Sequence, residues 1–370
     1  MSQASAKNCQ KENKLMNIDK LRKKIDKVDE GILDLLNQRA KAAVSIGKEK
    51  QKKRLKTHDR LREEKILKKL VLKNKGPLSK KMVVAVYREI LSICRSLQSS
   101  IKVAYFGPKA SNTYLAARKR FGSFVDFVPV STILDVFREV EKDKVHFGLV
   151  PVENSTEGMV SHTLDMFFNS ELKIFGEVSL PITHNLLAKG SKKEIKRVYS
   201  HPQALAQCRT WVKDNLSSVQ FIEISSTAEA AKLASQSKQN GAIANELAAE
   251  VYNLNILEQH IEDSGTNLTR FLVISKDFSE KGKNMKTSIM FFVKDEPGSL
   301  YNMLEIFKRH NINLTKIESR PSKQKAWEYI FFIDFKGYWK DKEIELALKE
   351  LGRKCISLKV LGSYPVDTTV

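Results

Sequence analysis

The chain has 370 residues and a formal net charge of +21, with 64 Lys and Arg against 43 Asp and Glu. Its hydrophobic content of 42% suffices for packed cores, and its length predicts two or three domains. No stretch approaches the ~20 uncharged apolar residues of a membrane helix, and residues 1–14 lack the apolar core of a secretory signal. We therefore expect a cytoplasmic protein with no membrane partner.

The charge and the cysteines narrow the classes of partner. The excess of positive charge fits nucleic-acid binding, steering of anionic small substrates, or a solvated lysine-rich surface. Because the basic residues are spread along the chain, we predict no nucleic-acid partner. The four cysteines form neither a CxxC motif nor a Cys/His cluster, which predicts no zinc site and no disulfide framework. No metal and no cofactor is expected.

Three segments differ in pattern and are called modules here. The helical module, residues 15–99, contains almost no Gly or Pro and has helical patterns throughout. The central module, residues 101–276, alternates short apolar runs with helical patterns, as an α/β domain does. After a charged linker, the C-terminal module, residues 287–363, has the order strand, helix, strand, strand, helix, strand, which is typical of an α+β sandwich. The predicted fold class is multidomain: all-α, then α/β, then α+β.

A heptad seam of apolar side chains runs along the first predicted helix, which ends near residues 53–58; a second break falls at 73–77. We call this set the heptad seam: Ile18, Leu21, Ile25, Val28, Ile32, Leu35, Ala42 and Ile46. Such a seam buries against another helix. Arg39 occupies one of its apolar positions, where an unpaired cation costs several kcal/mol. It is either a structural or snorkelling arginine or part of a ligand site.

The spacing of two further cations bears on that choice. Lys50 lies 11 residues beyond Arg39, ~16 Å along the helix and about 20° around it, so both can reach one anionic ligand. Arg22 lies 17 residues before Arg39, ~25 Å away along the helix. It reaches the same ligand only from a second, antiparallel chain. The pattern therefore predicts an intertwined homodimer, or a higher homo-oligomer built on it.

The helical module resembles the all-helical chorismate mutase family over its whole length, through LRKKIDKVDEGILDLLNQRAKAAVSIGKEK, DRLREE and YREILSICRSLQ. The resemblance implies that Arg39 and Lys50 bind the substrate carboxylates and ether oxygen, and that Arg22 comes from the partner subunit. It implies that Gln98 donates to the ether oxygen. The rearrangement of chorismate to prephenate is a one-step pericyclic reaction, so the enzyme must hold a dianion in its compact conformer and stabilise charge on that oxygen.

Two other helices contribute polar faces to the same resemblance. Asp59, Arg62 and Glu63 share one helix face at spacings i, i+3 and i+4, and Cys94 precedes Gln98 by four residues. The resemblance implies that Asp59 and Glu63 hold the substrate hydroxyl and that Arg62 supports the site electrostatically. Cys94 stands where the family usually has Ser. A thiol is the weaker hydrogen-bond donor, so we expect looser carboxylate binding there.

The central module contains four short strings: LVPVENSTEG, LPITHNLL, YSHPQALAQC and GTNLTRFLV. Each has an ordinary structural explanation by itself, such as a helix cap at His201, a packing residue at His184 or a strand start at Thr269. Together, in this order, they resemble the prephenate dehydratase domain over residues 101–276. That family has two lobes with the active site in the cleft between them, a common place for ligands.

The resemblance assigns roles within this module. It implies that Thr269 is the key catalytic residue and that Arg270 and Phe271 shape the site. The expected cleft residues are Asn154, Ser155, His201 and Gln203. Prephenate loses carbon dioxide and hydroxide together to give phenylpyruvate, and a threonine hydroxyl can help the hydroxide leave by donating a hydrogen bond.

The loop after the first strand, AYFGPKASNTYLAA, departs from the family pattern. Ala110 stands where family members usually have Gly, and Asn112 stands where they usually have an aromatic residue. If the family's Gly adopts positive φ, Ala110 is strained in this chain. We therefore expect altered geometry in this loop.

The C-terminal module contains KDEPGSLYNMLEIF and KIESRP, which together resemble the ACT regulatory domain of dehydratases. Its elements are predicted at residues 288–293, 299–310, 313–319, 327–335, 341–351 and 356–361. The resemblance implies that two loops bind L-phenylalanine between paired domains and inhibit the dehydratase. The effector residues are Gly298, Ser299, Leu300, Glu318, Ser319, Arg320 and Pro321.

The sequence therefore predicts a bifunctional enzyme that converts chorismate through prephenate to phenylpyruvate under phenylalanine feedback. Three alternatives stay open. The first is a chorismate mutase fused to an arogenate dehydratase, which has the same fold and an aminated substrate. The second is a non-enzymatic amino-acid-binding regulator that contacts nucleic acid through its basic helices. The third is a partly degenerate enzyme with one inactive domain.

Overall fold

The structure of the protein, a computed structural model, describes residues 3–53, 60–98, 101–265, 267–294, 296–321 and 329–367. They fall into two compact units. The first contains the helical module and a short insert, and the second contains the rest of the chain; the ranges are 1–101 with 123–125, and 102–122 with 126–370.

The helical module consists of α1 (Gln3–Lys52), α2 (Arg60–Lys73) and α3 (Lys80–Ser96). The ends of α1 and α2 agree with the predicted breaks. Helix α1 begins well before the predicted module boundary because residues 3–14 contain no Gly or Pro and are rich in the strong helix formers Ala, Lys, Gln and Glu. Helix α3 begins at a side-chain cap, in which Ser79 Oγ accepts from the backbone N–H of Met82.

Within the described part of the helical module, the heptad seam is exposed. Its large apolar members are between 44% (Ile18) and 65% (Leu35) exposed. A different face of α1 is buried, at Ala43 and Gly47, where it packs on α3. A continuous apolar stripe is stabilised when it is covered, and the members of the seam that the structure describes are exposed.

The central module alternates strands and helices. In chain order they are β1 (Lys102–Phe106), α4 (Asn112–Phe121), β2 (Asp126–Val130), α5 (Ile133–Glu141), β3 (Phe147–Asn154), β4 (Gly158–Met159), α6 (Ser161–Asn169), β5 (Lys173–Pro181), β6 (Asn185–Ala188), β7 (Arg197–Ser200), α7 (Pro202–Gln207), α8 (Arg209–Asn215), β8 (Gln220–Glu223), α9 (Thr227–Ala234), β9 (Asn240–Ala244), α10 (Glu246–Tyr252), β10 (Asn255–Glu258) and β11 (Leu268–Ser275).

Two sheets divide this module into two lobes, as predicted. The first lobe is built on the strand order β2-β1-β3-β11-β5, with β4 beside β3, and the second on β10-β6-β9-β7-β8. The chain passes from the first lobe to the second after β5 and returns before β11. These two crossings lie side by side, because the N–H of Ile182 donates to the carbonyl of Asn267 (2.9 Å).

The C-terminal module has the predicted order and is an antiparallel sheet, β13-β14-β12-β15, with two helices on one face. Its elements are β12 (Met285–Val293), α11 (Ser299–Arg309), β13 (Leu314–Pro321), β14 (Tyr329–Lys336), α12 (Lys342–Lys354) and β15 (Ser357–Pro365). Side chains alternate between the faces of a strand, so Ile289 and Phe291 face the helices while Met290 faces away from them.

The helix-free face of this sheet packs on the first lobe. Leu272 and Ile274 of β11 share one apolar core with Met290 and Phe332 of the C-terminal sheet. At Gly362 the two modules approach so closely that an added Cβ would lie 2.3 Å from the carbonyl oxygen of Ile174. This shared core explains why the central and C-terminal modules form one compact unit.

Candidate functional sites

In the helical module the structure brings Arg39 and Cys94 together. The guanidinium of Arg39 on α1 donates to Cys94 Sγ on α3, and Cys94 is buried. Arg39 is thus turned toward α3 rather than into bulk solvent. The seam position that Arg39 occupies is therefore part of a polar site, in which the guanidinium contacts the Cys94 thiol.

Gln98, two residues after the end of α3, lies against Gly47 of α1. A Cβ added to Gly47 would meet the Cα and Cβ of Gln98 at 3.0 Å, which is tighter than most real Cβ contacts. Glycine at position 47 therefore allows this close approach of the two backbones without displacement of Gln98. The close approach fixes the half-buried Gln98 beside the same end of α1 as Lys50.

Glu63 on α2 is held by a residue that sequence reasoning missed. Arg95 Nη1 donates to both carboxylate oxygens of Glu63, at 2.9 and 2.7 Å, and Arg95 is buried. The available signal was its position four residues after Leu91 on the buried face of α3. This ion pair orients the Glu63 carboxylate, because guanidinium and carboxylate bond in a fixed planar geometry.

The remaining predicted residues of this site are dispersed in one chain. Arg22 is exposed on α1 and lies 3.4 Å from Asp19, distant along the helix from Arg39. Arg62 is exposed on α2 and Lys50 is half-buried at the end of α1. Asp59 lies outside the described residues. A single chain therefore assembles Arg39, Cys94 and Gln98 but does not bring Arg22 to them.

In the central module, Asn154 and Thr269 form a hydrogen-bonded pair. They are directly opposite each other on β3 and β11, and Asn154 Nδ2 donates to Thr269 Oγ1 at 2.8 Å. The same amide nitrogen donates to Asn267 Oδ1 at 2.7 Å. Thr269 and Asn267 are both buried.

The orientation of the Asn154 amide is determined by the turn that follows β3. Its Oδ1 accepts from the backbone N–H groups of Thr156 (3.0 Å) and Glu157 (3.2 Å), and from the Thr156 hydroxyl. Backbone N–H groups only donate, so the amide oxygen must face them and the NH₂ must face Thr269. Thr269 Oγ1 is therefore an acceptor in this pair, and its own proton is available to another group.

The hydrogen bonds continue from Asn267 to the second lobe. Asn267 Nδ2 donates to Gln207 Oε1 at 2.9 Å, and His184 Nε2 lies 2.8 Å from the same oxygen. Because an amide oxygen only accepts, Nε2 of His184 holds the proton. Gln207 and Asn267 were not predicted as site residues, although both lie inside the quoted strings YSHPQALAQC and GTNLTRFLV.

His184 is neutral in this network. Burial lowers its pKa below the ordinary value of 6.5, and the opposing effects of Gln207 and Glu262 are smaller. The backbone N–H of His184 also donates to Glu262 Oε2 at 2.8 Å. His184 is thus a packed, hydrogen-bonded residue at a lobe crossing, in line with its ordinary structural explanation.

Two other predicted cleft residues have backbone contacts. Ser155 Oγ accepts from the N–H of Leu268 at 2.9 Å, which joins the turn after β3 to the start of β11. His201 caps α7, because its Nδ1 accepts from the N–H of Gln203 at 3.3 Å. Ser155 thus holds the backbone beside the Asn154–Thr269 pair, whereas His201 fixes the start of α7.

The two residues after Thr269 point in different directions. Phe271 is 1% exposed and is a core residue of β11. Arg270 extends to the opposite face of the sheet, where Nη1 donates to Asp334 Oδ2 at 2.7 Å. The structure therefore does not bring Arg270 to the Asn154–Thr269 pair.

The loop after β1 has the predicted strain. Ala110 has φ of 71° and is fully buried. Asn245, a residue that sequence reasoning missed, donates from Nδ2 to the carbonyl of Ala110 (3.0 Å) and to Asn112 Oδ1 (2.9 Å). The two departures from the family pattern are thus both tied to the second lobe by one buried amide.

The predicted effector residues divide between two faces of β13. Glu318 and Arg320 face the central module, where Arg320 Nη2 lies 3.9 Å from Asp165 Oδ1. Ser319, between them, is exposed on the other face of the strand. Pro321 is the last residue of β13. In the other loop, Gly298 has φ of 80°, which glycine adopts without strain. Ser299 and Leu300 begin α11, and Leu300 packs on the core beneath the helices.

Among the described residues, no group of three or more His, Cys, Asp or Glu side chains has the arrangement of a metal site. Within that same part of the chain, no helix has the length and apolar character needed to cross a membrane.

Three family models match the chain in the predicted order. Chorismate mutase type II matches residues 21–99, prephenate dehydratase matches 103–279 and the ACT domain matches 287–353. The chain is similar to the bifunctional chorismate mutase/prephenate dehydratase of Aquifex aeolicus, with 53% identity over 354 residues, 94% of this chain and 98% of that protein.

The protein of the same name from Pseudomonas aeruginosa is 43% identical over 352 residues, 93% of this chain and 96% of that protein. Among solved structures, the prephenate dehydratase of Arthrobacter aurescens in complex with L-Phe aligns with a TM-score of 0.66 and 32% identity. That alignment covers 72% of this chain and 90% of the other.

Proposed function

The chain belongs to the family of bifunctional chorismate mutase/prephenate dehydratases, and we propose that it converts chorismate to prephenate and prephenate to phenylpyruvate under feedback inhibition by L-phenylalanine. The observation that carries the dehydratase part is the hydrogen bond from Asn154 to Thr269. It supports a threonine hydroxyl oriented as a donor. The proposal includes the boundaries 15–99, 101–276 and 287–363 for the three domains, and a cytoplasmic location.

The dehydratase step follows from that orientation. Prephenate must lose its ring carboxylate as carbon dioxide and its ring hydroxyl as hydroxide, and aromatisation drives both. In our proposal the Thr269 proton, which the Asn154 amide leaves available, bonds to the departing hydroxyl. A chain of hydrogen bonds runs from Asn154 through Asn267 and Gln207 to His184. It holds the Asn154 amide in place and adds no charge beside the substrate.

The mutase step requires fixed cations and an amide. In our proposal Arg39 and Lys50 bind the dianionic substrate, and Gln98 donates to the ether oxygen as its negative charge grows. Asp59 and Glu63 hold the substrate hydroxyl, with Arg62 nearby. The pairing of Arg95 with Glu63 supports this role, since it holds that carboxylate in place.

We propose that the mutase works as a homodimer. The exposed heptad seam supports a second, antiparallel copy as its cover, and Arg22 on the same helix would then reach the partner's site. The edge position of β13 in its sheet supports pairing of two C-terminal modules as well. In that pairing, Glu318 and its neighbours would bind the effector together with the Gly298 loop.

The first test supplies the purified full-length chain with chorismate alone and quantifies prephenate and phenylpyruvate over time. Formation of phenylpyruvate is the expected result. Accumulation of prephenate would contradict the dehydratase half, and a parallel assay with arogenate would show whether the aminated substrate is preferred. Untouched chorismate would contradict the mutase half and return weight to a non-enzymatic regulator.

A substitution at Asn154 tests the hydrogen bond on which the dehydratase proposal rests. Asn154→Asp keeps an oxygen for the Thr156 and Glu157 N–H groups but removes the donor to Thr269. We expect kcat for prephenate to fall ~100-fold, the usual cost of misplacing a hydrogen-bond donor in catalysis. Mutase activity of the same chain is the internal control. Wild-type prephenate turnover in this variant would show that Thr269 needs no orienting amide.

A further inference from the structure

Strand β11 presents adjacent residues to opposite sides of the first-lobe sheet. The register pair Thr269–Asn154 faces the proposed dehydratase site, and the next pair, Arg270–Glu153, faces the C-terminal sheet. The ladder shifts register immediately after Arg270. A displacement of the Arg270 side chain would therefore act on the backbone of β11 that also carries Thr269.

Arg270 is bonded into the C-terminal module. Its Nη1 lies 2.7 Å from Asp334 Oδ2 on β14, and Asp334 Oδ1 accepts from Ser288 Oγ, which in turn contacts the hydroxyl of Tyr364 (2.7 Å). Burial favours the neutral acid, but the positive charge of Arg270 and the Ser288 hydrogen bond lower the pKa of Asp334, which stays ionised. The pair is thus a fully charged link between two sheets.

Two further ion pairs cross the same boundary. Lys286 Nζ on β12 lies 2.8 Å from Glu177 Oε2 on β5, and Lys316 Nζ on β13 lies 2.5 Å from Glu153 Oε1 on β3. Each module contributes three charges, and they cancel. The charge cluster consists of Arg270, Glu177, Glu153, Asp334, Lys286 and Lys316.

A buried ion pair contributes little net stability compared with apolar residues of the same size, because both charges lose their hydration. The charge cluster nevertheless borders the apolar core shared by the two modules. Two of its members, Arg270 and Glu153, are sequence neighbours of Thr269 and Asn154. The charge cluster can therefore couple the two modules, since its ion pairs fix β3 and β11 relative to the C-terminal sheet.

The charge cluster also extends to β13, the strand that carries four of the proposed effector residues. Lys316 and Glu318 lie on the same face of β13, two residues apart, and both line a small cavity together with Arg270 and Asp334. Glu318 is one of the proposed effector residues. Glu318 is therefore connected to Thr269 in short steps. Lys316 is its neighbour on β13 and pairs with Glu153, and Glu153 in turn pairs with Arg270, the residue next to Thr269.

We propose that Arg270 is a positioning residue for Thr269 rather than a substrate ligand, and that the charge cluster transmits occupancy of the effector site to the dehydratase site. This inference rests on the proposed dehydratase and effector functions. It replaces the expectation that Arg270 shapes the substrate pocket.

The test uses the full-length chain, with prephenate kinetics and L-phenylalanine inhibition as readouts. The first variants are Asp334→Asn, which breaks the link without touching Arg270, and Arg270→Lys, which keeps the charge but loses the planar fork. We expect kcat for prephenate to fall ~10-fold with KM within about twofold. The L-phenylalanine concentration for half-inhibition should rise at least ~10-fold, a typical coupling between sites.

Two further variants keep the test decisive. Arg270→Gln combined with Asp334→Asn removes both charges, so that neither is left buried alone if a single variant fails to fold. We expect the double variant to show the same loss of kcat and of inhibition. The matched control is Lys359→Met, which breaks another contact between the same modules, to the Ser170 carbonyl (2.7 Å) and Glu171 (2.9 Å). That contact lies at the opposite end of β5 from the register partner of Thr269. This variant should behave as wild type.

The inference is overturned if Asp334→Asn and the double variant keep kcat and inhibition within about twofold of wild type. It is also overturned if Arg270→Lys raises KM and leaves kcat unchanged, which is the signature of a substrate ligand. Mutase activity in every variant reports intact protein. If the wild-type chain does not turn over prephenate, the proposed function has failed instead.

Discussion

At the scale of single residues, the backbone strain at Ala110 predicts how the stability of an alanine-to-glycine variant should change. Its φ of 71° costs a non-glycine residue about 1–2 kcal/mol. Ala110→Gly relieves that strain but loses a buried methyl group, worth ~0.8 kcal/mol, and adds freedom to the unfolded chain. These effects nearly cancel, so we expect the free energy of unfolding to stay within about 1 kcal/mol of wild type in urea denaturation.

The control for this prediction is Ala117→Gly, a fully buried alanine inside α4. It loses the same methyl group and gains the same unfolded-state freedom without relief of strain. We expect it to be less stable than Ala110→Gly by about 1–2 kcal/mol. Equal losses in the two variants would mean that the positive φ at position 110 is not strained.

His184 predicts a pH dependence of stability. Burial lowers its pKa in the folded chain below 6.5, so below that pH the unfolded state binds the proton more readily than the folded state does. The free energy of unfolding should therefore fall as pH drops through about 6.5, by up to ~1.4 kcal/mol per pH unit for this one group. Urea midpoints measured between pH 7.5 and 5 test this.

The matched variant is His184→Gln, which keeps an amide N–H for Gln207 and has no titrating group in this range. It should show a shallower fall in stability over the same interval. If wild type and variant lose stability in parallel as the pH falls, another histidine or carboxylate is responsible.

At the scale of elements, the contact between α1 and the residues after α3 predicts an effect on the proposed mutase site. Gly47→Ala places a Cβ 3.0 Å from the Cα of Gln98, so Gln98 must yield by a few tenths of an ångström. Because the contacting atom belongs to the backbone, the shift moves the whole residue. We expect mutase kcat/KM to fall by up to ~10-fold, because catalysis is sensitive to sub-ångström placement of a catalytic group.

The control is the same substitution in another helix. Gly352→Ala in α12 meets no atom closer than 3.6 Å, so it gains helix propensity without a clash. It should keep full mutase activity, and both variants should keep dehydratase activity. A fully active Gly47→Ala chain would mean that the close approach of α1 and α3 has no role in catalysis.

At the scale of the whole molecule, the exposed heptad seam and the distance of Arg22 from Arg39 predict shared mutase sites. We expect Arg22→Ala and Arg39→Ala chains to be inactive separately. Mixed after reversible dissociation, they should form heterodimers in which one of two sites has both arginines. Mutase activity should then return to roughly a quarter of wild type, as statistical pairing of two chains requires.

Two measurements complete this prediction. Sedimentation equilibrium shows whether the chains form dimers, and mixing two preparations of the same Arg22→Ala chain is the control that should stay inactive. No recovery despite heterodimer formation would show that each mutase site is built within one chain. Dehydratase activity should be unchanged throughout, because its Asn154–Thr269 pair lies within one chain.

Much of the fold was determined by local sequence. The helical patterns, the apolar runs and the turn residues predicted all three modules in the right order, because hydrophobic periodicity is a property of neighbouring residues. The strain at Ala110 was also within reach, since it follows from a residue that departs from the family motif. Alternation along β11 already implied that Thr269 and Arg270 face opposite sides.

Tertiary structure alone decided which partners those side chains meet. Arg270 bonds to Asp334, Arg95 to Glu63 and Asn267 to Gln207, pairs separated by tens of residues in the chain. Nothing local specifies such contacts, because they depend on how whole sheets and helices pack. For the same reason the family resemblance named Arg270 as a pocket residue, whereas the packing of the C-terminal sheet on β11 gives it a charged partner, Asp334, in the C-terminal module.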